Sequence, residues 1–245
     1  MRISSYKHST LIISVLILLC VTLSCDRWFG KSSIKAKIEE DRAVCIRNKL
    51  PLLKKPRADA ERISALYLGE SFQFTDKQEK GKADGKATYV KVKLADGTEG
   101  WITEEGIIKN SVSGVIKAYT RIYERPERMT ILDSTYDYLD IVAVTHEKDD
   151  WVKVIGENRS TGGWIKNETV STDKNEVAAA ILVKKELTAD NTLSLRERVT
   201  RAILDSPYPD SYVIQTLRKL SVLYRFESEA DKGAALDFNI EVPEE

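Results

Sequence analysis

The chain has 245 residues, 42% of them hydrophobic and 31% charged, a balance that excludes disorder throughout and a polytopic membrane protein. Its 38 basic and 38 acidic side chains cancel, so no general attraction to nucleic acid is built in. Two histidines and three cysteines leave little material for a metal site, and no cofactor is expected.

In chain order, Met1 to Ser9 carries Arg2 and Lys7 without an acid, Thr10 to Leu23 is an almost unbroken apolar run, and Ser24-Cys25 follows. That is the layout of a signal peptide. The apolar run of about 14 residues is shorter than the roughly 20 a membrane-crossing helix needs, so cleavage is expected rather than a permanent helical anchor. Val21-Thr22-Leu23-Ser24-Cys25 resembles the lipobox of bacterial lipoproteins, with Thr22 where Leu is usual, a relaxation familiar in spirochaetes. The resemblance implies a lipoprotein signal over 1–25, diacylation of Cys25, and a lipid-anchored location in the bacterial cell envelope, periplasmic or surface-exposed. Loss of Arg2 and Lys7 leaves 36 basic against 38 acidic residues. Residues 26–42, rich in Lys, Ser, Gly and Glu, read as a flexible tether in which Trp28 and Phe29 suit a membrane interface. With Cys25 acylated, Cys45 is the remaining thiol, in the apolar strand Ala43 to Arg47, where burial is expected.

An internal repeat follows. Tyr89-Val90-Lys91-Val92 precedes Gly100-Trp101-Ile102 as Trp151-Val152-Lys153-Val154 precedes Gly163-Trp164-Ile165, with 12 residues from Tyr89 to Trp101 and 13 from Trp151 to Trp164. Upstream, an offset of 70 pairs Pro56 with Pro126, Glu70 with Asp140, Phe72 with Val142 and Phe74 with Val144. The offset then falls to 62, which places an eight-residue insertion in a loop over Asp76 to Thr88, where a β-domain tolerates it. Short alternating segments separated by turn residues such as Asp96-Gly97 and Gly162-Gly163 predict a small closed β-barrel in each copy.

These motifs resemble the bacterial SH3 domain, SH3b. Arg47, Leu50, Leu52 and Pro56 fit its early strand and loop, Leu68-Gly69-Glu70-Ser71-Phe72 its middle, and Tyr89 to Val92 with Asp96 to Ile102 its end. The second copy departs at Leu139-Asp140, where Gly-Glu is usual. The resemblance covers 43–171 and implies SH3b domains at 43–110 and 113–171, joined near Asn110 to Gly114.

In Tyr89-Val90-Lys91-Val92, alternation puts Val90 and Val92 on one face and Tyr89 and Lys91 on the other. A barrel this small cannot bury every large ring, so Tyr89, Tyr119, Tyr123, Tyr136, Tyr138 and Trp151 are candidate ligand contacts, while Trp101 and Trp164 are assigned chiefly to the core. Gly100 and Gly163, each directly before a Trp, predict close backbone approach or a bulge.

From Asp173 the composition turns helical, with Val177, Ala180, Ile181 and Lys184 at helical spacing. A second helix is expected after a cap at Asn191 or Thr192, with Leu195, Val199, Ala202 and Ile203 on one stripe. A third is expected after Asp210 or Ser211, with Val213, Ile214, Leu217 and Leu220 inward. Alternation in Val222-Tyr224-Phe226 and Leu236-Phe238-Ile240-Val242 suggests a terminal β-hairpin. The expected fold is therefore mainly β with an α-helical C-terminal part over 172–245: two tandem SH3-like barrels, then helices and a hairpin.

Catalytic machinery is hard to find. Cell-wall cysteine peptidases need a Cys nucleophile with a His base. The mature chain offers Cys45 and His146 on different repeats, with no nucleophile elbow, phosphate loop or His-Glu-x-x-His helix. His146 to Asp150 reads as a solvated hairpin tip. The lipobox resemblance, the SH3b resemblance and the missing machinery together lead to the expectation of a non-catalytic, membrane-anchored envelope lipoprotein whose SH3b domains bind peptide, from peptidoglycan or a protein partner. The alternative is a surface-exposed adhesin or scaffold for host or envelope proteins.

Overall fold

The computed structural model describes residues 41–81, 87–188 and 193–227. The expected signal peptide with Cys25, the tether as far as residue 40, the caps Asn191 and Thr192, and the segment 228–245 lie outside the described residues. The described part is mostly β, two antiparallel sheets followed by three helices.

The first sheet contains β1 (Arg42–Cys45), β2 (Leu50–Leu53), β3 (Arg62–Leu66), β4 (Ser71–Lys80), β5 (Thr88–Lys93), β6 (Glu99–Thr103) and β7 (Ile107–Lys109). The second contains β8 (Val112–Ile116), β9 (Thr120–Tyr123), β10 (Ile131–Tyr136), β11 (Ile141–Lys148), β12 (Trp151–Ile155), β13 (Gly162–Lys166) and β14 (Val170–Ser171). The first runs β3-β2-β6-β5-β4-β1-β7 and the second β10-β9-β13-β12-β11-β8-β14, so the strand order is the same in both. No ladder joins β3 to β7 or β10 to β14 among the described residues, so the expected closed barrels take the form of sheets with free edges.

Local chemistry explains the shared path. After β2, Lys54 N–H donates to Glu61 O and Arg57 N–H to Lys55 O; after β9, Glu124 N–H donates to Thr130 O and Glu127 N–H to Arg125 O. Pro56 and Pro126 sit at equivalent points of these loops. Before β4, Glu70 N–H bonds Tyr67 O across Gly69 at φ 86, and before β11 Asp140 N–H bonds Asp137 O across Leu139 at φ 72. Leu139 thus occupies a left-handed conformation that favours glycine, held there by burial of its side chain among the helices.

Two loops differ from expectation. β4 continues to Lys80 because its ladder to β5 resumes after a bulge, pairing Gln78 with Val90 and Lys80 with Thr88, so much of the expected Asp76–Thr88 loop is strand. Gly162 and Gly163 are strand residues of β13; the turn before them is a 3-10 segment, Glu157–Arg159, with Asn158 and Arg159 at positive φ.

The two sheets share an interface. The linker is only Asn110-Ser111, and Val44, Ile46, Ile108 and Ala143 form one buried cluster across the two. Asn158 N–H donates to Ile46 O at 2.8 Å and the Arg159 guanidinium to Ile107 O at 2.7 Å. β1 and the first half of β11 are therefore buried on both faces, which their unbroken apolar runs require.

Helix α1 (Lys174–Leu187) begins at Asp173, whose carboxylate accepts from Asn175 and Glu176 N–H. Helix α2 (Leu195–Leu204) is capped by Ser194 in a reciprocal box with Glu197, a shift from the expected Asn191 or Thr192. Helix α3 (Tyr212–Glu227) starts with Ile214 N–H donating to the Ser211 hydroxyl, and the Glu176 carboxylate of α1 accepts from Tyr212 and Val213 N–H. α3 includes Val222, Tyr224 and Phe226, so the first arm of the expected hairpin is helix: propagating an existing helix gains a bond per residue, and three alternating positions do not reverse that. Val213, Ile214 and Leu217 are buried as expected, and Leu220 is half-buried. The helices cover both sheets, burying Leu68 of the first with Val115, Tyr138, Leu139 and Ile141 of the second. On α1, Lys184 pairs with Asp140 at 3.1 Å and Lys185 lies over the Tyr67 ring, so the helix grips the equivalent turn of each sheet.

Candidate functional site

Alternation fixes which side chains leave the core of the second sheet. On β12, Val152 and Val154 are buried, so Trp151, Lys153 and Ile155 occupy the opposite face; on β13, Gly163 and Ile165 point in, so Trp164 and Lys166 point out. On β9, Ile122 is core and Arg121 and Tyr123 face away. Register then assembles a row, because Tyr123 stands opposite both Ile131 and Trp164, and Trp164 stands opposite Lys153. One step along, Trp151 is opposite Lys166. The Lys166 ammonium lies 4.0 Å from the centroid of the Trp151 ring, and Tyr123 meets that ring edge-on at 4.9 Å and 79°.

Gly163 lets β13 close against β9. A Cβ there would lie 2.5 Å from Ile122 Cγ2 and 2.7 Å from Tyr123 O. Gly100 has the same role, with Leu52 Cδ1 at 2.7 Å and Leu53 O at 3.0 Å. The expected close approach is thus present at both positions.

In the first sheet the equivalent row is Arg62, Leu53, Trp101 and Lys91. Leu53 replaces a tyrosine, and Lys91 is paired with Glu99 at 2.6 Å, a contact that holds the Glu99 carboxyl below its ordinary range. At the register position of Glu99, which faces Lys93, the second sheet has Gly162, which faces Ile155. Lys153 has no ion pair among the described residues.

Four of the six expected ligand contacts are buried: Tyr89 is 2% exposed, Tyr136 3%, Tyr138 5% and Trp151 7%. The expectation that so small a unit leaves its rings open fails because the helices and neighbouring side chains add cover. Tyr138 packs under the helices and donates its hydroxyl proton to Val213 O at 3.0 Å, with burial raising its pKa; Tyr136 joins the inner core of the second sheet. Tyr123 is half-buried in the row, whereas Tyr119, 46% exposed, precedes β9 and lies outside it. Trp101 and Trp164, expected in the core, are half-buried on the outer faces, because each stands opposite a lysine and its neighbour, Ile102 or Ile165, points inward. The sequence marks Lys153 only as part of its repeat motif, and does not mark Lys166 or Ile131. The spacing Trp164-x-Lys166 already puts those two on one face of a strand, a signal that could have found Lys166.

Away from that row, a concavity of about 600 Å³ lies between the first sheet, β8 and α1, lined by Arg42, Glu70, Asp96, Ser113, Lys174 and Ile181 among others. Burial pushes the Glu70 carboxyl above its ordinary range. Charges of both signs line this cleft, so it selects no ligand charge.

Cys45 is fully buried and its thiol is pushed up to about 12, chiefly by burial, so it is protonated at neutral pH. His146 is exposed near the end of β11, in the other sheet.

Residues 48–107 match the family model of the bacterial SH3 domain. No curated protein gives a match. Among solved structures, NlpC2 from Trichomonas vaginalis is 13% identical, with 68% of this chain and 56% of that chain covered and a TM-score of 0.25. NlpC1 from the same organism is 15% identical, with 60% and 53% covered and the same TM-score of 0.25. This chain spans a little over half the length of those two structures.

Proposed function

We propose that the chain is a non-catalytic lipoprotein of the bacterial cell envelope, anchored through Cys25, whose two sheets are tandem SH3b units that bind peptide. The observation that carries this is the bacterial SH3 domain at 48–107, whose strand order recurs in a second sheet bearing a half-exposed aromatic row. Flat rings on a rigid sheet suit an extended peptide, which loses little entropy on binding. Absence of catalysis is supported by Cys45, a buried, protonated thiol in a different sheet from His146. The basic start and the short apolar run before Ser24-Cys25 support the anchor, and diacylation of Cys25 would supply the two chains that stable retention takes.

Purified peptidoglycan sacculi are expected to retain the protein on centrifugation without release of soluble muropeptides. Release of muropeptides refutes the non-catalytic reading, and failure to co-sediment refutes peptidoglycan as ligand. Cys25→Ala is expected to move the protein to the soluble fraction; absence of palmitate-analogue labelling on the unaltered chain refutes the anchor.

A further inference from the structure

We propose that the outer face of the second sheet, and not that of the first, is selective for an extended peptide carrying carboxylates on alternate residues, bound by Lys153 and Lys166, the two lysines that neighbour Trp164. This deepens the peptide-binding reading above and rests on it.

Two features of that face combine. Outward positions on β9, β12 and β13 carry Arg121, Lys153 and Lys166 and no acid; Asp133, on the edge strand β10, lies toward the Arg121 end of the face. The charge is held in place by a ring rather than neutralised, since the Lys166 ammonium rests on the Trp151 face at 4.0 Å and has no carboxylate partner among the described residues. A ring fixes the stem and leaves ammonium protons free to bond an incoming anion. The first sheet shows the contrary arrangement, with Lys91 held by Glu99 at 2.6 Å and Thr103 opposite Tyr89 where Lys166 stands opposite Trp151.

Spacing points to the form of the ligand. Lys153 is directly opposite Trp164, and Lys166 is two residues beyond Trp164 on the same strand, so the lysines are diagonal neighbours about 7 Å apart at the backbone. Alternate side chains of an extended peptide repeat at about 6.6 Å, which matches one carboxylate to each lysine. The backbone between those carboxylates then runs between the positions of Trp164 and Trp151, with Tyr123 and then Ile131 continuing the surface beyond Trp164. Charge complementarity is local: the chain as a whole is neutral, so no long-range field would draw in the peptide.

The test titrates the full chain with a synthetic Ala-Glu-Ala-Glu-Ala peptide and with its Gln counterpart, following the indole N–H resonances of Trp101, Trp151 and Trp164. The glutamate peptide is expected to shift Trp164 and Trp151 and to leave Trp101 in place, with affinity about tenfold above that of the glutamine peptide. Lys166→Met, which keeps the stem over Trp151, and Lys153→Met are each expected to remove most of that preference, while Lys91→Met leaves it unchanged. Equal binding of the two peptides, or a preference that survives both lysine substitutions, overturns the carboxylate inference and leaves the peptide-binding reading standing. Shifts at Trp101 alone assign binding to the first sheet and overturn the inference. No shift with either peptide overturns the inference, and sacculus binding then decides the broader reading.

Discussion

Gly162 and Gly163 are adjacent in one strand, and replacing each by alanine should have opposite consequences. A Cβ on Gly163 would lie 2.5 Å from Ile122 Cγ2 and 2.7 Å from Tyr123 O, against an ordinary contact of about 3.5–4.0 Å. The isoleucine methyl can turn aside, but the Tyr123 carbonyl is fixed in the strand that pairs with β13. Relief therefore requires β13 and β9 to separate by close to 1 Å, which strains the ladder and loosens the packing of Ile122 and Ile165. Overpacking of this kind costs about 1–3 kcal/mol, and a backbone obstacle places Gly163→Ala toward the upper end. A Cβ on Gly162 meets nothing nearer than Val154 O at 3.4 Å, so Gly162→Ala should be neutral or stabilise by about 0.4–1 kcal/mol through lost entropy of the unfolded chain. For a cooperative unit of this size, about 2–4 °C of midpoint accompanies each kcal/mol, so Gly163→Ala should melt about 4–12 °C below the unaltered protein. Thermal unfolding followed by circular dichroism reads both variants. Equal midpoints for Gly163→Ala and Gly162→Ala would refute the claim that the strands close only around a glycine.

Cys45, with its thiol pushed up to about 12, should resist iodoacetamide at pH 8 in the folded protein and react fully in denaturant; rapid labelling at Cys45 itself in the folded chain, read by peptide mapping, would contradict its burial. The carboxyl of Glu70 is raised by burial, so its contribution to stability is greatest in acid and is lost as pH rises through its folded pKa. Gln keeps the size of the side chain without its charge, so Glu70→Gln should gain stability relative to the unaltered protein between pH 4 and pH 7 in urea unfolding. A pH-independent difference between the two would show that burial does not strain the charged form.

The sequence by itself determined the local pattern and its repetition. Period-2 alternation assigned Val90 with Val92 and Val152 with Val154 to single faces, the repeat anticipated the same strand order in both sheets, and glycine before tryptophan foretold the close approach at Gly100 and Gly163. Helical spacing after Asp173 located three helices, because capping groups and apolar stripes act within a few residues. Cover was decided by tertiary structure. Alternation says which side chains share a face and not what lies over that face, so Trp101 and Trp164 go outward with the lysines opposite them, while Tyr136 and Tyr138 go inward. The unbroken runs Ala43 to Ile46 and Ile141 to Val144 carried a sign of two-sided burial, but the partner for the second face came from the other sheet, about 100 residues away. The outer row of Ile131, Tyr123, Trp164 and Lys153 has the same origin, since it spans four strands and depends on their register, which long-range pairing sets and a local window of sequence does not contain.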